Sequence, residues 1–111
     1  MTQLVIRVLH SEKAVIYLEA PTTEGYVIGR SDDASSYVPD IDLASFDARE
    51  KGVSRRHSAL VRYQGTTCVV DLNSVNGTFL DGRRLIPDVP HPVGKSSEIT
   101  LGTLSLTIAH L

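Results

Sequence analysis

The sequence predicts an all-β fold, a β-sandwich, on three observations. Apolar residues recur at every second position in several short runs. Turn-forming residues separate those runs at close intervals. No amphipathic stretch of ten or more residues shows helical spacing. Alternation places one side of a strand in a core, and many short strands with regular punctuation pack best as facing sheets.

Taken in order, Leu4, Ile6 and Val8 alternate around Arg7, and Ser11-Glu12-Lys13 is a turn before the second run. Tyr26–Gly29 is the next strand. A long connection, Ser31 to Val53, then shows strand pattern only at Ile41-Asp42-Leu43. Loops this long in compact domains generally carry function. One helical turn is expected around Ser45–Lys51, with Ser45 as cap, Asp47 in its first turn and Gly52 at its end. Ala59, Val61 and Tyr63 alternate with Ser58, Leu60 and Arg62, and Gln64-Gly65 leads to the strand Thr67–Asp71. Asn76-Gly77 and Asp81-Gly82 are turns separated by room for about three strand residues. Glu98–Leu101, the turn Gly102-Thr103 and the alternating Leu104, Leu106 and Ile108 close the chain.

The 111 residues suit a single domain over 1–111, large enough to bury roughly two thirds of its unfolded surface. A hydrophobic fraction of 41% and a net charge of −2 indicate a soluble globular class. The acidic balance argues against nucleic acid as partner, and four Tyr, two Phe and no Trp supply no stacking platform. Cys68 stands alone, so no intrachain disulfide exists, and its strand setting suggests a small buried hydrophobe. The amino terminus lacks the apolar stretch of a signal peptide, and no window reaches transmembrane length. The expectation is a cytoplasmic protein with no membrane partner.

Three motifs sit where strands meet loops: Gly29-Arg30, Ser54-Arg55-Arg56-His57 and Asn76-Gly77-Thr78. A guanidinium can give a phosphate two parallel hydrogen bonds, which Arg30 and Arg55 offer. The Ser54 hydroxyl and free loop N–H groups can grip an oxyanion. The Asn76 amide both donates and accepts. Gly29 removes a side chain where the backbone is crowded, and His57 at a strand start suits a loop-holding role.

The pattern Gly29-Arg30, Ser54-x-x-His57, Asp71-Leu72-x-Ser74-x-Asn76-Gly77-Thr78-Phe79-x-x-Gly82 and the closing Glu98-Ile99-Thr100-Leu101-Gly102 resemble the forkhead-associated (FHA) domain family across nearly the whole chain. The resemblance implies a two-sheet antiparallel β-sandwich of about eleven strands with binding loops at one end. It implies phosphothreonine-peptide recognition, with Arg30, Ser54 and Arg55 at the phosphate and Asn76 on the peptide main chain. Gly29, His57 and Gly77 would shape the loops. The implied partner is a phosphothreonine-containing protein or peptide, such as a substrate or autophosphorylated form of a Ser/Thr kinase. Neither cofactor nor metal is implied. Two positions depart from the family: Val75 stands where many members carry Ser or Thr, and Ser96-Ser97 replaces a common Gly-Asp, which puts a turn in doubt.

On this reading dephosphorylation leaves Arg30 and Arg55 facing each other without a counter-ion, which makes a sharp switch. A carboxylate of the protein itself plugging the gap, or an Arg30 guanidinium far from the Ser54 hydroxyl, would collapse the idea of the socket. Two other classes compete. A hydrolase using Ser54, His57 and Asp71 lacks the Gly-x-Ser-x-Gly elbow, Gly94-Lys95-Ser96 lacks the earlier glycine of a phosphate loop because Val89 stands there, and His10, His91 and His110 show no metal spacing. A scaffolding domain that has lost phosphate binding is the alternative.

Overall fold

A computed structural model describes residues 3–11 and 15–111. Among the described residues, eleven strands form two sheets, joined by loops and one 3-10 turn. They are β1 (Gln3–Val8), β2 (Val15–Glu19), β3 (Tyr26–Gly29), β4 (Ile41–Asp42), β5 (Arg56–Tyr63), β6 (Thr66–Asp71), β7 (Thr78–Leu80), β8 (Arg83–Arg84), β9 (His91–Pro92), β10 (Ser96–Leu101) and β11 (Leu104–His110). The six-stranded sheet runs β2-β1-β11-β10-β7-β8 and the five-stranded sheet β4-β3-β5-β6-β9. Pairing is antiparallel except for β3 with β4, which run parallel because the chain crosses over between Gly29 and Ile41. Glu12 and Lys13 of the first expected turn lie outside the described residues.

The core is built from Leu4, Ile6 and Val8 of β1, Ile99 and Leu101 of β10, and Leu104, Leu106 and Ile108 of β11, packed on Ile28, Ile41, Leu60 and Val69 of the other sheet. Burying each such side chain contributes roughly 1.5–3 kcal/mol. Cys68 is among the buried residues, and burial pushes its thiol pKa up.

The tight turns follow their residue types. Asp81 and Gly82 both take positive φ, 50° and 84°, as a two-residue hairpin between β7 and β8 requires. Gln64 and Gly65, at φ 50° and 76°, do the same between β5 and β6. Ser96 and Ser97 open β10, where the Ser97 hydroxyl accepts the Gly94 N–H at 3.0 Å, so a side chain closes the turn that a Gly-Asp pair would otherwise form.

Two expectations change. The helical turn is a 3-10 turn at Ala44–Phe46 with no side-chain cap, and Asp47 ends it in the left-handed region instead of sitting in its first turn. In β5 the core side is carried by Ser58 and fully buried Leu60, while Tyr63 is exposed. Leu60 is the larger aliphatic group, and a bulge at His57 shifts the register at the start of the strand.

Candidate functional site

The bulge is where the site begins. Ile28 pairs with Ser58 but Gly29 pairs with Arg56, so His57 is an extra residue in β5. A bulge bends its strand and re-aims side chains. Here His57 and Ser58 are both fully buried. Gly29 permits the close approach, because a Cβ there would collide with the Arg55 carbonyl oxygen.

His57 joins two loops. Its Nδ1 accepts the Ser54 N–H at 3.0 Å, and its Nε2 lies 2.8 Å from the Gly77 carbonyl oxygen. A backbone N–H can only donate, so the imidazole proton belongs on Nε2 and the ring is neutral. Burial holds the His57 pKa below its ordinary value, against the opposing pull of the Gly77 carbonyl and Asp71. Gly77 is at φ +89°, and its carbonyl also accepts the Gly102 N–H at 3.1 Å. Beneath lies a buried chain of hydroxyls. The Thr78 hydroxyl donates to Asp71 Oδ1 at 2.6 Å, so Ser58 must donate to Thr78 across 2.6 Å. The Ser74 hydroxyl donates to the same Asp71 oxygen at 2.6 Å and accepts the Gly77 N–H at 3.0 Å.

These links bring the candidate ligands to one end of the sandwich. Arg30 Nε donates to the Val53 carbonyl at 2.7 Å, one residue before Ser54. The Ser54 hydroxyl accepts the Val75 N–H at 3.4 Å, which leaves its own proton free to donate. Asn76 Nδ2 donates to the Gly52 carbonyl at 3.0 Å, two residues before Ser54. Gly52 sits at φ +81°, and a Cβ there would stand 2.6 Å from Asn76 Nδ2 and displace that amide. Val75 projects into solvent, 83% exposed, and contributes its backbone N–H instead of a hydroxyl.

A carboxylate lies between the two arginines. Asp32 Oδ2 accepts from Arg30 Nη1 at 3.1 Å and from Arg55 Nε at 2.8 Å, while Oδ1 accepts the Ala34 N–H at 2.7 Å. The hydrogen bond from Arg55 is the foremost cause holding the Asp32 pKa below the usual carboxylate value. The expectation that the arginines face each other without a counter-ion is therefore corrected: Asp32 supplies one. Each guanidinium has five N–H donors. Arg30 spends two of them, on Val53 and Asp32, and Arg55 spends one. The internal carboxylate thus occupies part of the donor set and leaves the rest open.

Neighbouring acidic groups tie down the same loop. Asp42 accepts the Ser31 N–H at 2.9 Å and the Ala44 N–H at 3.0 Å, as well as the Ser31 hydroxyl. Burial raises its pKa, but these bonds outweigh burial and hold it below the ordinary value. Asp32 and Asp42 are the residues that reading the sequence missed. The available signal was chemical: an arginine aimed into a site needs a nearby acceptor, and Asp32 is two positions away.

A hydrolytic relay is not assembled. Both His57 ring nitrogens are engaged by backbone groups, and Asp71 is bonded to Ser74 and Thr78. The Ser54 hydroxyl meets Val75, not His57. Among the described residues no cluster of His, Cys, Asp and Glu has the arrangement of a metal site.

Comparison with known proteins agrees with this architecture. No curated protein matches the chain. Among solved structures, the FHA domain of the CT664 protein from Chlamydia trachomatis is 23% identical, with 96% of each chain covered and a TM-score of 0.71. The Rv1747 FHA-1 domain of Mycobacterium tuberculosis is 22% identical, covering 98% of this chain and 96% of that one at a TM-score of 0.71. The N-terminal FHA domain of Rad53p from S. cerevisiae, solved with a phosphothreonine peptide, is 20% identical, covering 96% of this chain and 91% of that one at a TM-score of 0.73. These likenesses concern the fold. The FHA domain family model matches residues 26–102, and with the paired sheets around them, this chain belongs to the FHA domain family.

Proposed function

We propose that the chain is a non-catalytic module that binds phosphothreonine peptides and so joins proteins in a phosphorylation-dependent way during signalling. Domains of this family are binding modules, and the Rad53p domain was solved with a phosphothreonine peptide. The observation that supports the reading is the linkage of three loops: the loop of Arg30 bonds to Val53, and the loop of Asn76 bonds to Gly52 and, through Val75, to Ser54, all on the segment that carries Ser54 and Arg55. Arg30 and Arg55 supply charge to the phosphate, the Ser54 hydroxyl donates to one of its oxygens, and Asn76 uses its free Oδ1 on the peptide main chain. Gly29, His57 and Gly77 hold the loops. Three or four charge-assisted bonds of about 1.5–3 kcal/mol each, less the ordering of a flexible peptide, give micromolar affinity, on the order of −8 kcal/mol. Residues 1–111 act as one domain, in the cytoplasm, with a phosphorylated kinase substrate or an autophosphorylated kinase as partner.

Titration calorimetry with matched phosphorylated and unphosphorylated threonine peptides tests the reading. The phosphorylated peptide binds and the other does not, and Arg30→Ala and Ser54→Ala each weaken binding at least about tenfold, the cost of one charge-assisted bond. Equal binding of both peptides contradicts it. Two observations, the Val75 side chain and the Asp32 counter-ion, favour the second reading, a scaffold that has lost phosphate binding. A partner retained after Arg30→Ala would establish that alternative.

A further inference from the structure

We propose that Asp32 is an internal competitor for the phosphate: a carboxylate that holds Arg30 and Arg55 in the unliganded protein and must swing away for a phosphorylated ligand to bind. The inference rests on the functional reading above and concerns what sets the affinity of that site. It begins from the geometry of one oxygen. Asp32 Oδ2 accepts from both guanidinium groups, at 3.1 and 2.8 Å. These are the charges offered to the ligand. A dianion brought to the same donors meets a fixed negative charge a few ångströms away, and like charges that close disfavour joint occupancy.

The site is built so that the carboxylate can leave without dismantling it. Arg30 stays anchored through Nε on the Val53 carbonyl at 2.7 Å, a bond independent of Asp32. Ser31 stays anchored on Asp42. Movement is thereby confined to the residues just after Ser31, where Asp33 and Ala34 are exposed. The Ala34 N–H, 2.7 Å from Asp32 Oδ1, is the local tether that the swing must break or carry along. Arg55 is otherwise unrestrained: its side chain is 49% exposed, and Asp32 is its one ion-pair partner among the described residues. Releasing Asp32 frees N–H donors on both arginines together and changes the local charge from +1 to +2.

The alternative is that Asp32 is a buttress, orienting the arginines so that they meet the phosphate already aligned. The two roles predict opposite signs. Affinity for a phosphothreonine peptide is measured for the wild type, Asp32→Asn and Asp32→Ala, each checked for a cooperative thermal melt. If Asp32 competes, both variants bind about three- to tenfold tighter, the scale of losing two partly exposed ion pairs. Arg55→Ala then costs more affinity in the Asp32→Asn background than in the wild type, where that arginine is already occupied. Unchanged or weaker binding in both variants overturns the proposal, and weaker binding assigns Asp32 the buttress role. If the folded wild type and variants all ignore phosphopeptide, the functional reading itself fails and this inference falls with it.

Discussion

His57 decides more of the local structure than any residue that would touch a ligand. One neutral ring ties Ser54 to Gly77: it pairs the Ser54 N–H and adds a second hydrogen bond to the Gly77 carbonyl, which also accepts the Gly102 N–H. Its folded pKa lies below its ordinary value of 6.5. The unfolded chain therefore takes up a proton at a pH where the native ring does not. Stability is complete above the unfolded value and falls as pH drops through 6.5, levelling only below the folded pKa. Thermal melts between about pH 8 and about pH 5.5, the range in which histidine titrates, should show this loss. A His57→Gln variant, which cannot titrate, should show a shallower slope, and identical slopes would refute the assignment. His57→Ala removes both hydrogen bonds and leaves the Ser54 N–H unpaired, at a cost of about 1–3 kcal/mol, read by urea denaturation. Asp32 is the opposite case. It makes more contacts to the proposed ligand-binding groups than any other acidic residue, yet the sequence did not single it out, because its link to Arg55 spans 23 positions through an irregular loop.

At the scale of elements, what could be read was what is local. The β7–β8 hairpin follows from Asp81-Gly82, and β11 follows from Leu104, Leu106 and Ile108 on one face. Period-two alternation and two-residue turns are local chemistry, so no knowledge of the partner strand is needed. The β5 bulge and the parallel β3–β4 pair depend on which strands meet, and neither carries a local signature. The 3-10 turn at Ala44–Phe46 falls in the same class, since Asp47 in the left-handed region closes it early. The loop carrying Asn76 depends on Gly77, whose φ of +89° disfavours any Cβ, while an added Cβ would also press on the Arg84 guanidinium at 2.9 Å. Gly77→Ala should therefore destabilise the fold by about 1–2 kcal/mol, the cost of a left-handed non-glycine residue. Because the side chains proposed to meet the phosphate are untouched, phosphopeptide affinity should fall less than on Arg30→Ala. Calorimetry on both variants compares the two.

For the whole molecule, the loops of the candidate site are held by strands beyond the family match. That match covers 26–102, whereas β1, β2 and all of β11 fall outside it. β1 pairs with β11 in register from Leu4 to Val8, and β10 pairs along the other side of β11. Without them, Leu4, Ile6, Val8, Leu104, Leu106 and Ile108 leave the core and β10 becomes an open edge. A fragment of residues 26–102 should show no cooperative thermal transition, and a sharp melt from that fragment would show β1, β2 and β11 to be dispensable. The loops converge because the Gly102 N–H donates to the Gly77 carbonyl and the Thr103 N–H donates to the Lys51 carbonyl, so the rim is a product of the sandwich and not of any one segment. That is also why the meeting of the motifs at one end came from the family resemblance, while the bonds that join them could not be read from any one segment.

The central claim is that this rim binds a phosphate ester on a peptide. The most direct measurement is the dissociation constant of one threonine peptide in its phosphorylated and unphosphorylated forms. The account predicts binding in the micromolar range, on the order of −8 kcal/mol, for the first and none measurable for the second. Indistinguishable constants for the pair would contradict it.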